Sequence, residues 1–152
     1  MEIWNEILGN QVLVCSVAGW TVAQVLKTII DVVLNRSFNP ERLFGSGGMP
    51  SSHSATVCAL TTASGLKYGV GSFEFAISFV VAMVVMYDAM GVRRETGTQA
   101  QLFNSVFFEN ILNLDGVLLQ EKLKEYVGHT PLQVVAGAVL GIGMTLVISS
   151  FY

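Results

Sequence analysis

Charged residues are scarce in this chain of 152 residues: Lys, Arg, Asp and Glu make up 12% of it, against about 25% in soluble domains. Lys and Arg number only 8 and the net charge is −3, with a sequence pI near 5.2. A nucleic-acid-binding domain needs a dense basic surface to neutralise phosphates, so this class is excluded. Hydrophobic residues make up 52% and the mean hydropathy is +0.58, which excludes disorder and indicates a membrane protein.

Cysteine and signal features are equally sparse. The two cysteines, Cys15 and Cys58, lie inside apolar runs and have no partner at zinc or redox spacing, so we interpret both as packing residues. No metal site and no cofactor are predicted. The segment Met1–Glu6 lacks the basic region of a secretory signal, and the chain is therefore expected to be mature or inserted by its own first span. The length predicts a single domain over 1–152.

Long apolar runs are the main feature that the sequence does have. A helix needs roughly 20 residues to cross about 30 Å of hydrocarbon. Four segments approach this length: Val12–Leu34, Ser54–Tyr68, Phe73–Met90 and Leu132–Tyr152. We therefore predict an all-α, membrane-embedded helical bundle with about four spanning helices. Ser54–Tyr68 is the shortest and least apolar, which favours an inner helix that its neighbours shield from lipid.

Two of these spans carry further patterns. Gln24, Lys27 and Asp31 share one face of the first span, and a polar stripe on a spanning helix normally points into the bundle. Gly137 and Gly141 form a Gly-x-x-x-Gly pattern in the fourth span, which allows another helix to approach closely. That helix can belong to the same chain or to a second copy, so a homo-oligomer stays open.

The segments between the spans differ in character. Asn35–Ser52 and Gly91–Gly97 are predicted loops, because the first is rich in Gly and Pro and the second is polar. Thr98–Val127 mixes leucines with charges and is too charged for a comfortable span. We expect it to form an interfacial amphipathic helix or hairpin.

The chain has two histidines, and both stand at predicted helix starts. His53 follows the glycine-rich segment Gly47–Ser52, and His129 precedes Thr130 and Pro131. The first turn of a helix offers unpaired N–H groups and a positive dipole end, so the approach to His53 is a candidate anion cradle. Taken alone, each segment is also explained by an ordinary capped turn with a structural histidine.

Three segments in this order resemble motifs of the type 2 phosphatidic acid phosphatase and vanadium haloperoxidase superfamily. Gly47–Ala55 resembles its Pro-Ser-Gly-His motif. Gly128–Gly141 is similar to its third motif, in which a His is followed four residues later by Asp and then by a helix of small residues. Tyr87–Arg94 lies between them. The resemblance extends from about Gln24 to Gly141 and is greatest to the small, divergent membrane branch.

The resemblance implies a metal-independent phosphatase that works through a phosphohistidine. It implies that His129 is the nucleophile on phosphorus and that His53 is the general acid for the leaving oxygen. The implied phosphate-binding groups are cationic side chains, backbone N–H groups and one hydroxyl: Lys27, Arg42, Gly48, Ser51, Ser52, Arg93 and Arg94. Fixed cations and N–H dipoles stabilise charge on the phosphoryl oxygens.

The cations depart from the superfamily pattern in two ways. The superfamily has Arg six residues before its nucleophilic His, where this chain has Leu123. We expect Arg93 or Arg94 to supply the missing cation, with Lys124 as a poorer candidate. The first-motif spacing from Lys27 to Arg42 is longer than usual, and Arg36 is an alternative to Arg42.

The group that orients the nucleophile differs as well. Gln133 stands four residues after His129, where the superfamily has Asp. A neutral amide can orient the imidazole but stabilises the imidazolium less than a carboxylate does. Asp88 is a candidate to compensate.

A shared site fixes the topology. If His53, Arg93 and His129 act together, their segments lie on one membrane face, Thr98–Val127 does not cross an odd number of times, and both termini lie on the opposite face. Most basic residues then share the active-site face: Arg36, Arg42, Arg93, Arg94, Lys122 and Lys124, against Lys67 on the other. The positive-inside rule favours a cytoplasmic active site.

The first hypothesis is therefore an integral membrane phosphatase acting on a lipid phosphomonoester or lipid diphosphate. Phosphatidate, phosphatidylglycerophosphate and polyprenyl diphosphate are all compatible, and the partners are this lipid and the bilayer, with no nucleic acid. The alternative is a weak or inactive family member that binds anionic lipids or organises a membrane complex. A vanadate-dependent haloperoxidase is disfavoured by the small size and the hydrophobicity of the chain. The remaining hypothesis is a four-helix membrane protein whose histidines are structural.

Overall fold

The bundle is built from helices alone in the part of the chain that is described. The computed structural model describes residues 2–37, 48–108, 123 and 128–152. Its helices are α1 (Glu2–Gly9), α2 (Gln11–Asn35), α3 (Ser52–Tyr68), α4 (Phe73–Met90), α5 (Val92–Phe108) and α6 (Pro131–Ser149). The predicted all-α membrane bundle is confirmed.

The helices differ in how they meet the membrane. Three stretches are long and apolar enough to cross it: α2, the stretch Phe73–Val106 that runs through α4 into α5, and α6. Helix α3 has only 17 residues and packs against α2, α4 and α6. It is the inner helix that its weak hydropathy predicted, because neighbours cover it on three sides.

Small residues bring the inner helices together. Ala55 of α3 has no exposed surface. A Cβ atom on Gly141 of α6 would collide with the Ala55 backbone, and one on Gly19 of α2 would lie 3.1 Å from the Ala55 carbonyl oxygen. The Gly-x-x-x-Gly pattern of α6 therefore serves packing within the chain.

Helices α3 and α6 run parallel. Gly137 lies against Ser51, and Gly141 lies against Ala55 one turn further along. One turn beyond that, the Thr145 hydroxyl donates to the carbonyl oxygen of residue 59 at 3.3 Å. Both helices advance together, so their N-termini meet at one end of the bundle.

The predicted loop over Gly91–Gly97 is wrong. Only Gly91 interrupts the helices: its N–H donates to the Tyr87 carbonyl at 2.8 Å, and α5 begins at the next residue. Arg93 and Arg94 consequently lie in the first turn of α5, since arginine and glutamate are good helix formers once a turn has been nucleated. Of the predicted interfacial segment, residues 98–108 are helical, and residues 109–122 and 124–127 lie outside the described part.

The two ends of the chain meet. The short helix α1 was not predicted, and Asn10 separates it from α2 by accepting the Leu13 N–H at 3.2 Å. The Tyr152 hydroxyl donates to the Leu8 carbonyl at 2.7 Å. Both termini therefore lie at the same end, away from His53 and His129, as the topology argument expects.

Candidate active site

The two histidines face each other where α3 and α6 begin. The ring centroids of His53 and His129 are 6.1 Å apart, with their planes inclined at 55°. The Ser51 N–H donates to the Gln133 carbonyl at 3.0 Å, which joins the two helix starts directly. The Ser51 hydroxyl also caps α3 by accepting the Ser54 N–H at 3.3 Å. The pair thus occupies a cleft with a fixed backbone frame.

Gly128 and His129, which precede α6, pack against the junction between α4 and α5. The His129 N–H donates to the Ala89 carbonyl at 3.0 Å. Gly128 lies so close to the backbone of Arg93 and Arg94 that a Cβ atom there would collide with it. Only glycine fits at 128, so the close approach is built into the sequence.

Gln133 orients the His129 ring. Its Oε1 lies 3.3 Å from His129 Nδ1 and also accepts the Thr130 N–H at 3.0 Å, while the Thr130 hydroxyl accepts the Gln133 N–H at 3.4 Å. This is the capping box of α6. An amide oxygen only accepts, so in the neutral ring Nδ1 carries the proton and Nε2 keeps its lone pair.

His129 is kept neutral by its surroundings. The side chain is 3% exposed, and burial lowers the pKa of the imidazole below its usual 6.5. The hydrogen bond that His129 Nδ1–H donates to Gln133 raises the pKa, whereas His53 and the positive charges of Lys27 and Arg93 lower it further. A neutral imidazole with a free Nε2 is a competent nucleophile.

Lys27 brings a buried charge to the site from α2. The residue is 4% exposed. Gly48 crosses its stem in a left-handed conformation (φ 85°), and a Cβ atom there would lie 3.1 Å from the Lys27 Cγ and Cδ atoms. A cavity of about 320 Å³, called here the α2 cavity, adjoins this point. It is lined by Lys27, Ile30, Asp31, Leu34, Gly48, Met49 and Gln133.

Arg93 is the second cation beside the histidines. Its Nε donates to Asp88 Oδ2 at 2.6 Å, and the two side chains are 44% and 38% exposed. Asp88, predicted as a partner of the imidazole, is thus hydrogen-bonded to Arg93 in the structure. Arg94 is exposed and contributes its backbone to the contact with Gly128.

The site contains two histidines, a buried lysine and an arginine, and their segments follow the motif order described above. The sequence comparison identifies the family. Residues 8–144 match the family described as the divergent PAP2 family. The chain belongs to this family. It is also 39% identical over 156 aligned residues to the uncharacterized membrane protein YuiD of Bacillus subtilis (strain 168), covering 97% of this chain and 99% of that protein. No solved structure matches.

Membership in the divergent PAP2 family confirms the superfamily resemblance and, with the apolar helices, a membrane protein. Family membership assigns no role to an individual residue, so each role is argued from the geometry of the site. Within the described ranges, no group of three or more His, Cys, Asp or Glu side chains is arranged to hold a metal ion.

Ser52 has a partner that sequence reasoning missed. Its hydroxyl donates to Gln24 Oε1 at 2.6 Å, and both side chains are buried. The hydroxyl predicted as a phosphate donor therefore connects α3 to α2 in this divergent PAP2 chain. The available signal was the helix face that Gln24 shares with Lys27.

Three further cations were predicted as candidates for the site. Arg42 and Lys124 lie outside the described residues. Arg36 ends α2 in a left-handed conformation and is exposed. It stands nine residues beyond Lys27, about 13 Å along the helix axis.

Position 123 uses its backbone instead of a charged side chain. The leucine is 49% exposed. Its N–H donates to Asn104 Oδ1 at 2.9 Å, and its carbonyl accepts from Asn104 Nδ2 at 2.8 Å. Sequence reasoning missed Asn104, because a side chain that binds a backbone 19 residues away leaves no periodic pattern.

Proposed function

We propose that this divergent PAP2 protein is an integral membrane phosphatase that hydrolyses a phosphomonoester or diphosphate on a lipid through a phosphohistidine on His129. The observation that carries the proposal is the 6.1 Å separation of the His53 and His129 rings at the start of two parallel helices. A structural role for either histidine would not require this approach.

The first step transfers the phosphoryl group to the protein. Nε2 of His129 attacks phosphorus and forms the N–P bond while the bond to the lipid oxygen breaks. Protonated His53 donates its proton to that leaving oxygen, which departs as the lipid alcohol or, from a diphosphate, as the lipid monophosphate. Lys27 and Arg93 offset the negative charge on the phosphoryl oxygens.

The second step releases phosphate. Neutral His53 accepts a proton from water as the water oxygen attacks phosphorus, and the N–P bond breaks. The products are inorganic phosphate and free His129, while His53 regains its proton. Gln133 holds the ring through Nδ1 during both steps. A neutral amide stabilises positive charge on the ring less than a carboxylate would, so we expect slow turnover compared with members that carry Asp.

The α2 cavity supports a lipid as the substrate. Its polar lining comes from Lys27, Asp31 and Gln133, and its apolar, partly exposed lining comes from Ile30, Leu34 and Met49. A headgroup phosphate near Lys27 would leave its tail against these side chains and the surrounding bilayer. A small water-soluble phosphate ester has no apolar tail to bury against these side chains, so they would not stabilise its binding.

A non-catalytic role is the second candidate, and two observations favour it. Position 123 carries leucine, and the partner of the histidine is the neutral Gln133. A protein with the same anion site but a poorly stabilised imidazolium would bind anionic lipid headgroups, or organise a membrane complex, without turnover.

Phosphate release in detergent separates the two candidates. The purified protein is incubated with phosphatidate, phosphatidylglycerophosphate and polyprenyl diphosphate in the presence of EDTA, beside His129→Ala and His53→Ala. Loss of release in both variants, and a phosphohistidine in the parent that His129→Ala lacks, supports the phosphatase. A folded parent that binds these lipids and releases no phosphate supports the binding role.

We propose that the site lies on the cytoplasmic face of the membrane. Arg36, Arg93 and Arg94 lie at the end of the bundle that carries the histidines, and Lys67 lies at the other end. This asymmetry agrees with the positive-inside rule.

A further inference from the structure

Asn104 is a buried amide in the middle of α5. The residue is 3% exposed, in a helix whose neighbouring positions 101 and 102 face outward. Its side chain uses both ends: Nδ2 donates to the Leu123 carbonyl at 2.8 Å and Oδ1 accepts the Leu123 N–H at 2.9 Å. An amide that engages both backbone groups of one residue fixes the position and the direction of that residue.

Leu123 stands six residues before His129. The far end of this stretch is attached as well, since Gly128 lies against the Arg93 and Arg94 backbone and the His129 N–H donates to Ala89. Leu123 is therefore attached to α5, and Gly128 and His129 are attached to the junction between α4 and α5. The same helix α5 carries Arg93 in its first turn, so one element sets the positions of a cation and of the nucleophile.

The residue type at position 123 adds to this observation. The resemblance to the superfamily implies an arginine here, and this chain has a leucine whose side chain is 49% exposed. The side chain at position 123 supplies no charge, whereas the backbone at this position is hydrogen-bonded to Asn104 of α5.

We propose that Asn104 is a positioning residue for the reaction: its two hydrogen bonds attach the chain to α5 six residues before His129, and this attachment contributes to the position of His129 relative to the phosphoryl group. The inference rests on the proposed phosphatase function. It concerns the geometry of His129 and adds no group that touches the substrate.

The variant Asn104→Asp tests the contact with almost no change in volume. It keeps an acceptor for the Leu123 N–H but replaces the Nδ2 donor by an oxygen that repels the Leu123 carbonyl. Ser105→Ala is the matched control, because Ser105 Oγ donates to the Gln101 carbonyl within the same helix. We expect kcat to fall by about 100-fold in Asn104→Asp, the cost of a misplaced reacting group, with KM nearly unchanged, and Ser105→Ala to match the parent.

Two measurements that do not require turnover test the positioning of His129 independently of activity. Hydrogen exchange at the Leu123 amide is expected to be slow in the parent and fast in Asn104→Asp. The ¹⁵N spectrum of the imidazoles, assigned with His53→Gln, is expected to show His129 protonated at Nδ1 in the parent and a mixture of tautomers in the variant. Asn104→Leu, which removes both bonds without adding a charge, is expected to reproduce both changes.

The outcomes separate the two proposals. A parent that releases no phosphate overturns the phosphatase, while the tautomer change still supports positioning of the ring by Asn104. An active parent whose kcat and tautomer are unaffected by Asn104→Asp, despite faster exchange at Leu123, overturns the positioning role. Slow exchange in all variants overturns the contact itself.

Discussion

Arg93 Nε donates a 2.6 Å hydrogen bond to Asp88 Oδ2 across Gly91, the single residue that separates α4 from α5. The bond ties the guanidinium to the last turn of α4, next to Ala89, whose carbonyl accepts the His129 N–H. The Arg93 guanidinium and the His129 backbone are therefore both hydrogen-bonded to the last turn of α4.

We expect Arg93→Ala to lower kcat/KM for phosphate release by about 100-fold, the usual cost of removing one preorganised charge-stabilising donor. Arg93→Lys keeps the charge without the planar fork and should recover part of the loss. Arg94→Ala is the matched control, because the structure uses the backbone of that residue. Steady-state kinetics on the preferred lipid phosphate measure all three. A larger loss in Arg94→Ala than in Arg93→Ala would reverse the assignment.

The pH dependence should report His129. Burial lowers the pKa of this imidazole below 6.5, and the proposed reaction needs it neutral, so the acid limb of kcat/KM should lie below pH 6.5. Burial lowers the pKa of His53 as well, and the proposed first step needs His53 protonated, so its titration should set the alkaline limb. Gln133→Glu keeps the capping box and adds a carboxylate that favours the imidazolium. The acid limb of kcat/KM should then move upward by about one pH unit.

Gln133→Met is the control for that experiment, because it removes the acceptor without adding a charge. It should lower the rate and leave the acid limb at or below its parent position. An acid limb that is the same in the parent and in Gln133→Glu would show that another group titrates.

The contact between α3 and α6 should govern stability. A Cβ atom at Gly141 collides with the Ala55 backbone, whereas one at Gly143 meets nothing within 4 Å. We expect Gly141→Ala to destabilise the protein by about 1–3 kcal/mol, the cost of overpacking. Gly143→Ala should be neutral or slightly stabilising, because alanine favours the helix. Thermal unfolding in detergent compares the two, and equal midpoints would contradict this packing.

Labelling of introduced cysteines tests the orientation. Cys15→Ala and Cys58→Ala provide a background, to which Glu95→Cys in the first turn of α5 or Gly71→Cys at the other end of the bundle is added. In sealed right-side-out vesicles, a membrane-impermeant maleimide should label the cysteine at 71 directly and the one at 95 only after permeabilisation. The opposite pattern would place the active site outside.

The sequence predicted the parts of the fold that depend on periodic hydropathy. The bounds of α4 agree at both ends, and α3 is the inner helix because its alanines and hydroxyls make poor lipid-facing surface. The prediction of a loop at Gly91 was too long. A run of glycine and charged residues is typical of a loop, but Gly91 alone separates the two helices, and Arg93 lies in the first turn of α5.

The histidine pair followed from motif order, since two helix starts on one face bring His53 and His129 together. The amide contacts did not follow. Gln24 with Ser52, and Asn104 with Leu123, depend on how finished helices and segments lie against one another. No local pattern encodes that relation, so only the three-dimensional structure reveals it.

Because α3 and α6 run parallel and are held together by glycine, both present their amino-terminal ends to the same cleft. Neighbouring helices in an up-and-down bundle normally have opposed dipoles that cancel, whereas these two add. Peptide dipoles bind no proton, so this part of the attraction for a phosphate stays constant at every pH at which the protein is folded. Under the proposed function, titration of the histidines changes the chemistry that follows binding, whereas the attraction between the helix dipoles and the phosphate is unchanged.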